Sequence, residues 1–294
     1  MDLTTIERIK RLAIEGLFSD DRLMDSFVLK GGNALDLVYG IAPRASIDID
    51  LSMGDEFEHD QLDAFRMRIE HALRRVFADN GYVVFDVTLE ERPRFRTPGV
   101  PDFWGGYQLS FKVISKGKQE GAITDLASLR RNAEIVGPRH KRTFKVDISK
   151  HEYCQPKDSV DMDGYLIYVY TPEMIAIEKL RAICQQTEEY CMSIGRSHRD
   201  ARARDFFDVY TVIEHFGLEL TSSQNLELLR QIFQVKQVPL QLLSAIAKYR
   251  EFHRPDFATV TDNLKPGETV REFDYYFDYV VEGCKILTKA LGIK

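Results

Sequence analysis

The sequence predicts an α+β protein in which a part that mixes strands and helices is followed by a part made almost entirely of helices. Three observations support this prediction. The 294 residues exceed the usual size of one domain. Apolar residues recur with strand and helix periods in turn up to about residue 165, and with the helix period after it. We therefore predict two domains, residues 1–165 and residues 166–294.

The first domain begins with a helix and then alternates between the two periods. Over residues 3–18 the apolar side chains Ile6, Ile9 and Leu12 recur at helical spacing. Residues 46–53 alternate strictly between polar and apolar, which is typical of a strand with one buried face. The other elements predicted here are a strand over 27–29, a short helix over 34–39 that ends at Gly40, a helix over 60–79, and strands over 82–89, 107–114 and 144–148.

One more strand is predicted at the domain boundary, over residues 165–170, and helices follow it. Thr171 has the side chain of an N-cap, and Pro172 suits the first position of a helix. The predicted helices cover about 172–190, 199–215, 222–235, 239–250 and 268–290. In the last of them Phe273 and Phe277 have helical core spacing, so we interpret this aromatic stretch as packing and not as a platform for nucleobases.

The composition is that of an ordinary globular protein, with 44% hydrophobic and 29% charged residues. No apolar run approaches the roughly 20 residues that a membrane span needs. The N-terminal residues mix acids with bases around no apolar core, so a signal peptide is not expected. The four cysteines form no CxxC pair, which predicts neither a zinc site nor a framework of disulfides. Together these features predict a cytoplasmic protein without a membrane partner.

The net charge of −6 argues against a protein coated in basic surface, but three local clusters of basic residues stand out. They lie at Arg92, Arg94 and Arg96, between Arg130 and Lys145, and at Arg196, His198, Arg199, Arg202 and Arg204. Each cluster alone is more often a solvated loop or helix face. Taken together, the three clusters are also compatible with a groove that binds phosphate groups.

The segment Ile47–Leu51 carries the sharpest chemical signal. On a strand, Asp48 and Asp50 share one face, about 7 Å apart by the strand rise, and their apolar neighbours face the other way. Adjacent carboxylates repel each other unless water or a cation compensates, and their oxygens suit Mg²⁺ or Mn²⁺. An isolated pair is more often a solvent-facing strand edge. An EF-hand is excluded, because Met53 occupies the position that needs glycine.

A pair of glycines, Gly31 and Gly32, precedes the short helix predicted over 34–39. Without side chains, their backbone N–H groups can approach a phosphate closely. The pattern is neither a Rossmann nor a Walker loop, and alone it is more often a flexible turn. Followed by a strand with two aspartates, it predicts one element that holds a triphosphate and another that holds its metal.

These two segments resemble the signature of the DNA-polymerase-β-like nucleotidyltransferases, and among them that of the AbiEii/AbiGii toxin family. The resemblance rests on Leu29–Leu35 and Arg44–Leu51, although Asn33 stands where a small hydroxyl residue is common. Two later segments extend it over roughly residues 27–210: Glu178–Ala182 resembles the lysine motif of the family, and Arg202–Tyr210 resembles its R-x-x-D-x-x-D motif.

The resemblance implies a nucleotidyltransferase fold, in which helices flank a mixed sheet, followed by a helical C-terminal domain. It implies catalytic roles for Asp48 and Asp50 as metal ligands, and for Lys179 and Asp205. The residues implied to contact the nucleotide are Lys30, Gly31, Gly32, Asn33 and Ser46.

The superfamily implies a third carboxylate as well. Asp147 is the best candidate for this catalytic and metal-binding position, because its apolar neighbours would point away from it, and Asp86 is a weaker rival. Without the family, Lys179 is more simply a surface lysine on an amphipathic helix. Asp205 and Asp208 would then be structural acids that pair with arginines of the same helix.

The family resemblance finally implies an activity and a partner. It implies an enzyme that uses Mg²⁺ or Mn²⁺ to transfer a nucleoside monophosphate from an NTP to an acceptor, as the toxin of a type IV toxin–antitoxin or abortive-infection pair that serves phage defence. Some relatives act on the 3′ end of tRNA, so RNA is the expected acceptor and a cognate antitoxin the expected partner. Two alternatives remain: a nucleotidyltransferase that modifies a protein or a small molecule, and a non-catalytic scaffold, which would not need to keep adjacent carboxylates.

Overall fold

The computed structural model describes residues 3–41, 48–57, 59–94, 101–120, 125–137, 139–265 and 267–293. Among these residues, seven strands form one mixed sheet: β1 (Val28–Lys30), β2 (Ile49–Ser52), β3 (Tyr82–Arg92), β4 (Gly106–Ser115), β5 (Phe144–Ser149), β6 (Lys157–Met162) and β7 (Tyr165–Tyr170). The order across the sheet is β3-β4-β5-β2-β1-β7-β6. The prediction of an α+β fold with a mixed sheet is confirmed.

The central strands run in both directions. β1 pairs antiparallel with β2 and parallel with β7. β2 pairs parallel with β5, in a register that places Asp50 opposite Asp147. β5 pairs antiparallel with β4, which places Asp147 opposite Gln108, and β4 pairs antiparallel with β3. The register therefore lines up polar residues of three neighbouring strands.

The helices of the N-terminal part precede and connect these strands. They are α1 (Leu3–Phe18), α2 (Asp21–Ser26), the turn α3 (Gly31–Asn33) that continues as a π-helical turn (Ala34–Val38), α4 (Leu62–Asp79) after a 3₁₀ turn (His59–Gln61), α5 (Lys116–Glu120) and α6 (Leu126–Asn132). At Gly16 a Cβ atom would lie 2.9 Å from Cδ2 of Leu73. α1 and α4 therefore cross at a distance that leaves no room for a side chain at this position.

From Pro172 onward the chain is helical. The helices are α7 (Pro172–Cys184), α8 (Glu188–Ser193), α9 (Ala203–Phe216), α10 (Ser223–Gln234), α11 (Leu242–Ala245), α12 (Arg250–His253), α13 (Ala258–Thr261) and α14 (Phe273–Ala290), with 3₁₀ turns over Ile246–Tyr249 and Arg254–Phe257. The Thr171 hydroxyl caps α7 by accepting a hydrogen bond from the N–H of Met174. Since α7 packs against β7, α9 and α10, it joins the sheet to the other helices.

The sheet has an apolar face and a polar face. Ile49 and Val146 are fully buried, and they belong to one core with Leu12 of α1 and Leu73 of α4. Asp50 follows Ile49 on the same strand and therefore points to the opposite face. The polar face looks toward the C-terminal helices, which places the polar row of the central strands between the two parts of the chain.

Most predicted elements are present, with shifted ends. The strand predicted over 165–170 has these bounds, and the strand predicted over 46–53 is described from Ile49 to Ser52. Residues 46 and 47 lie outside the described part of the chain. The helix predicted over 172–190 is divided into α7 and α8, because Thr187 caps a new helix by accepting a hydrogen bond from the N–H of Tyr190.

Three further features bear on the predictions. Phe273, Tyr276, Phe277 and Val280 are buried, so the packing role predicted for this aromatic stretch is confirmed. All four cysteines are free thiols. No helix among the described residues is long and apolar enough to cross a membrane. The last strand of the sheet ends at Tyr170 and the helices begin at Pro172, while the division into two domains stays a prediction.

Candidate active site

A row of polar side chains crosses the middle of the sheet on its polar face. Lys30 on β1 lies opposite Asp50 on β2, Asp50 opposite Asp147 on β5, and Asp147 opposite Gln108 on β4. Neighbouring strands lie roughly 5 Å apart, and paired positions share a face. The amide nitrogen of Gln108 donates a hydrogen bond to Oδ1 of Asp147 at 2.9 Å. Two aspartates separated by almost a hundred positions in the sequence are therefore neighbours in the fold.

Asp50 is withdrawn from water within this row. Burial raises the pKa of its carboxyl to about 6, and the charge of Asp147 adds to the rise, whereas Lys30 opposes it. The positive charge nearby therefore does not fully compensate the ionised carboxylate. An additional cation at this point would stabilise it.

Gly31 brings the backbone against the same carboxylate. Its φ angle of 68° lies in the left-handed region, which favours glycine. A Cβ atom at Gly31 would lie 2.8 Å from Oδ2 of Asp50. Gly31 and Gly32 both line the cleft above the sheet. The glycine turn therefore fits beside Asp50 only because it has no side chain there.

Asp48, predicted as a metal ligand, lies just before β2 and does not line the cleft. Its side chain is 55% exposed, and its Oδ1 lies 3.7 Å from Nζ of Lys141. Asn33 is fully buried and donates a hydrogen bond from Nδ2 to the backbone carbonyl of Asp48 at 2.5 Å. Asn33 does not line the cleft, and its hydrogen bond braces the backbone of Asp48. The nucleotide contact implied for Asn33 stays a prediction. Ser46, another predicted nucleotide contact, lies outside the described residues.

Of the two candidates for a third carboxylate, only Asp147 lies beside Asp50. Asp147 is exposed and lines the cleft. Asp86 on β3 instead forms ion pairs with Arg130 at 2.6 Å and with Lys112 at 2.8 Å. The hydrogen bond from Arg130 is the main reason why the pKa of Asp86 falls to about 2. Asp86 is therefore a structural acid away from the site.

Lys179 and Asp205 meet where α7 packs on α9. Nζ of Lys179 lies 3.0 Å from Oδ1 of Asp205 and 2.7 Å from Oδ2 of Asp208. Arg202 adds an ion pair to Asp205 at 3.3 Å. Burial alone would raise the pKa of Asp205, but Lys179 and then Arg202 hold it well below its usual range. The interpretation of Lys179 as a surface lysine is wrong, because this residue is only 6% exposed.

A second network of buried charges adjoins Lys30, and its central residue Glu152 belongs to none of the sequence motifs. Glu152 accepts two hydrogen bonds from Arg181 of α7, at 2.6 and 3.2 Å. Nζ of Lys30 lies 3.5 Å from Glu178 and 3.8 Å from Glu152, and Nζ of Lys236 lies 3.5 Å from Glu152. Burial opposes ionisation of Glu152, but the three cations, Arg181 foremost, lower its pKa to about 2. Burial also opposes ionisation of Glu178, but Lys30 and Arg181 lower its pKa overall. The network therefore keeps two carboxylates charged among three cations.

These groups line one cleft of about 580 Å³ between the polar face of the sheet and the C-terminal helices. The predicted site residues that line it are Lys30, Gly31, Gly32, Asp50, Asp147, Lys179 and Asp205. Other residues line the cleft that the sequence did not single out as site residues, among them Trp104, Gly106, Ser149, Glu152, Arg181 and Lys236. The two aspartates, the glycine turn and the lysine motif thus come together from four distant segments.

The basic clusters contribute to the cleft only in part. Arg92, Arg202 and Arg204 line it. Arg130 pairs with Asp86 elsewhere, and Arg199 lies over the ring of Phe252, 4.4 Å from its centroid. Arg96 lies outside the described residues. The solvated helix face expected of such clusters fits Arg130, whereas Arg199 is packed on an aromatic ring and Arg92, Arg202 and Arg204 supply charge to the cleft.

The donor set of the polar face fits a hard divalent cation. Asp50 and Asp147 offer carboxylate oxygens from paired positions, and the raised pKa of Asp50 indicates charge that a cation would compensate. Within the described ranges, no three His, Cys, Asp or Glu side chains form a complete metal site. Mg²⁺ is commonly held by one or two carboxylates together with substrate phosphates and water. The pair therefore suits an ion that binds together with a nucleotide.

Solved structures share this architecture. A candidate nucleotidyltransferase from Helicobacter pylori aligns with 99% of this chain and 98% of its own, with a TM-score of 0.51 and 18% identity. JHP933 from Helicobacter pylori aligns with 98% of this chain and 93% of its own, with a TM-score of 0.50 and 19% identity. At these identities the two structures show the fold that the chain shares with them.

A sequence match identifies both the class of enzyme, a nucleotidyltransferase, and the family within it. Residues 13–279 match the family described as nucleotidyl transferase AbiEii toxin, type IV toxin–antitoxin system. The chain therefore belongs to the AbiEii toxin family, and the family predicted from its motifs is confirmed. Membership of this family implies an NTP substrate and an antitoxin partner. No curated protein matches the chain.

Proposed function

We propose that this enzyme transfers a nucleoside monophosphate from an NTP to the 3′ end of an RNA, with tRNA as the expected acceptor. The observation that carries the proposal is the placement of Asp50 beside Asp147 on paired strands, against Gly31 and in one cleft with Lys179. Phosphoryl transfer depends mainly on positioning and on neutralisation of charge. A carboxylate pair, a close backbone approach and buried cations supply both.

The triphosphate of the NTP is assigned to the glycine turn and the lysines of the cleft. Gly31 and Gly32 let the backbone approach the β and γ phosphates. Burial lowers the pKa of Lys30, but Glu178 and Glu152 outweigh this effect and raise it overall, so Lys30 stays charged at neutral pH. Lys179 adds charge from the opposite wall, and Asp205 positions it through the ion pair of 3.0 Å.

The reaction is a displacement at the α-phosphorus. The oxygen of the acceptor hydroxyl bonds to this phosphorus, the bond to the oxygen that bridges the α and β phosphates breaks, and pyrophosphate leaves. Asp147 takes the proton of the hydroxyl, because its carboxylate is exposed in the cleft beside Asp50. Mg²⁺ or Mn²⁺ held by Asp50 and Asp147 together with the phosphates would neutralise charge on the phosphates, and Asp48, the other ligand implied by the family, would need to move to join them.

An RNA acceptor is proposed from the family and from the cations of the cleft. Arg92, Arg202 and Arg204 line it together with the motif residues. Arginine side chains bind the phosphates of nucleic acids irrespective of sequence. Modification of an essential RNA would make the enzyme a toxin, and its cognate antitoxin is the partner that the family implies.

The test uses purified protein, Mg²⁺, each α-³²P-labelled NTP and total RNA. Asp50→Asn removes a carboxylate of the proposed centre, and Asp161→Asn is a matched control because Asp161 is exposed on the edge strand β6. We expect label on tRNA-sized RNA with the unmodified protein and with Asp161→Asn, and none with Asp50→Asn. RNA whose 3′ diol has been oxidised by periodate should take up no label.

Other outcomes would support the alternatives. Label on protein or on a small molecule, with none on RNA, would contradict the proposed acceptor. No label on any molecule, together with no metal-dependent binding of NTP, would contradict the transfer and leave the scaffold interpretation.

A further inference from the structure

The single tryptophan of the sequence lies in the wall of the cleft. Trp104 stands just before β4, next to the glycines Gly105 and Gly106, and its indole is half-buried. It lines the same cleft as Asp50 and Lys179. The chemistry proposed above gives this large aromatic side chain no role, although it is part of the wall.

Two side chains pack on the indole of Trp104. Cζ of Arg196 lies over the indole, 4.9 Å from its centroid, and the centroid of the Tyr190 ring lies 6.3 Å away. Neither Arg196 nor Tyr190 lines the cleft. Both pack on the indole from outside the lining of the cleft, and a ligand in the cleft would meet the part of Trp104 that lines it.

Hydrogen bonds also hold the backbone on both sides of Trp104. Nζ of Lys236 donates hydrogen bonds to the carbonyls of Phe103 at 2.9 Å and of Lys150 at 2.6 Å. The N–H of Lys150 in turn donates to the carbonyl of Gly105 at 3.4 Å. Trp104 is thus held between two anchored neighbours, and a pre-positioned aromatic surface loses little freedom when it binds a ligand.

We propose that the indole of Trp104 stacks on a nucleobase bound in the cleft. The proposal rests on the proposed function, in which every substrate carries phosphates for the cations and a base that the phosphate site leaves unbound. Aromatic stacking is a general mode of base binding, and it tolerates any base because each has a π face. Trp104 would therefore strengthen nucleotide binding without selecting one base strictly.

Two molecules of the reaction carry such a base: the NTP and the terminal nucleotide of the acceptor. Trp104 is the only tryptophan, so fluorescence excited at wavelengths that the 13 tyrosines do not absorb reports this side chain alone. Quenching by acrylamide is measured for the protein alone, with NTP and Mg²⁺, with a short RNA that has a free 3′ hydroxyl, and with inorganic triphosphate and Mg²⁺. A stacked base shields the indole, so we expect less quenching with NTP or RNA and no change with triphosphate. The ligand that protects identifies the source of the base.

Two variants test the energetic contribution of the ring. Trp104→Leu should lower the affinity for the protecting ligand about tenfold to a hundredfold, whereas Trp104→Phe should retain most of it. The affinity for inorganic triphosphate should be the same in both variants and in the unmodified protein, which also shows that the variants are folded. Affinities are measured by equilibrium dialysis of labelled ligands.

The outcomes for stacking and for transfer are distinct. Unchanged quenching at saturating NTP and at saturating RNA would overturn the stacking proposal, even if the enzyme labels RNA. Absence of binding of either ligand would overturn it as well. Protection of Trp104 without any transfer to RNA would support stacking and contradict only the proposed acceptor.

Discussion

Lys179 lies between two aspartates of one helix, and these aspartates face different surroundings. Asp205 lines the cleft, whereas Asp208 is 3% exposed and does not line it. Both are within 3.0 Å of Nζ of Lys179. We therefore expect Asp205 to serve the reaction and Asp208 to serve mainly the stability of the contact between α7 and α9.

The variants Asp205→Ala and Asp208→Ala should separate these roles. Asp208→Ala should lower the free energy of unfolding by about 3 kcal/mol, since removal of one partner leaves a buried charge poorly compensated. Asp205→Ala should slow transfer about a hundredfold or more, because it releases the lysine that neutralises the phosphates. Urea unfolding and initial rates measure the two effects. Asp208→Ala should retain clearly more activity than Asp205→Ala, and the reverse order would contradict the assignment.

Gly31→Ala tests the close approach of the glycine turn to Asp50. The new methyl group would lie 2.8 Å from Oδ2 of Asp50, at a φ angle of 68°. Gly40→Ala is a matched control, because its φ angle is 66° and no atom of the described residues lies within 4 Å of the added carbon. The left-handed backbone should cost both variants about 1 kcal/mol of stability. Only Gly31→Ala should lose transfer activity, and equal rates in the two variants would argue against the contact.

At the scale of elements, the start of α9 is held by residues about fifty positions further along the chain. The N–H of Arg202 donates to Nδ1 of His253 at 2.9 Å, and the N–H of Ala203 donates to Oδ2 of Asp256 at 2.9 Å. Arg202 at the N-cap position has no side-chain cap of its own. The two distant side chains therefore take the place of an N-cap and fix the turn that carries Asp205.

The bond to His253 predicts a dependence of stability on pH. Burial lowers the pKa of His253 from 6.5 to about 4, so the folded ring stays neutral and can accept the bond. Between these two values the unfolded chain binds the proton and the folded chain does not, so the free energy of unfolding decreases as the pH falls, by up to about 3 kcal/mol. His253→Asn keeps an acceptor that does not titrate. Urea unfolding at neutral and mildly acidic pH should show a larger loss in the unmodified protein, and equal losses would refute this role.

The periodicity of apolar residues predicts a helix or strand well where one face of it is buried. It fails where pairing with a neighbouring strand, or packing against other helices, determines the conformation. β7 is an apolar run followed by Thr171 and Pro172, so both its type and its bounds follow from the sequence. Three of the six residues of β6 are exposed and only one is buried, and its strand conformation comes from antiparallel pairing with β7 at the edge of the sheet. The helix predicted over 239–250 is likewise a series of short turns, whose conformation depends on the helices packed around them.

At the scale of the whole molecule, one carboxylate connects the sheet with the helical part. Glu152 follows β5, and its neighbours are Lys30 of β1, Arg181 of α7 and Lys236 after α10. Glu178 also pairs with Lys30 and Arg181, so the network holds three cations and two carboxylates. The network therefore both holds the two parts together and contributes positive potential below the cleft.

Glu152→Gln should change stability and binding in opposite directions. It leaves three buried cations with less compensation, so the free energy of unfolding should fall by about 3 to 5 kcal/mol. The added positive potential should lower the KM for NTP. Glu188→Gln is the control, because Glu188 pairs with Arg199 at the surface and should matter by less than about 1 kcal/mol. Unchanged stability in Glu152→Gln would contradict the connecting role.

The sequence predicts the site residues that belong to short local motifs. Gly31 and Asp50 belong to local patterns, and the strand pattern around Asp147 selects it, although its register beside Asp50 becomes visible only in the sheet. Glu152 and Trp104 have no local pattern, because their roles depend on residues from distant segments that meet only after folding. Long-range charge pairing is therefore the part of the site that spacing cannot predict.

The central claim is that Asp50 and Asp147 form one transfer centre on paired strands. The most direct measurement is the initial rate of transfer from an α-labelled NTP by the unmodified protein, Asp147→Asn and Asp86→Asn. Both substitutions remove a strand-borne carboxylate that the sequence offers as a third acid, but only Asp147 lies beside Asp50. We predict that Asp147→Asn slows transfer about a hundredfold or more, while Asp86→Asn stays close to the unmodified rate. A full rate in Asp147→Asn, or an equal loss in both variants, would contradict the claim.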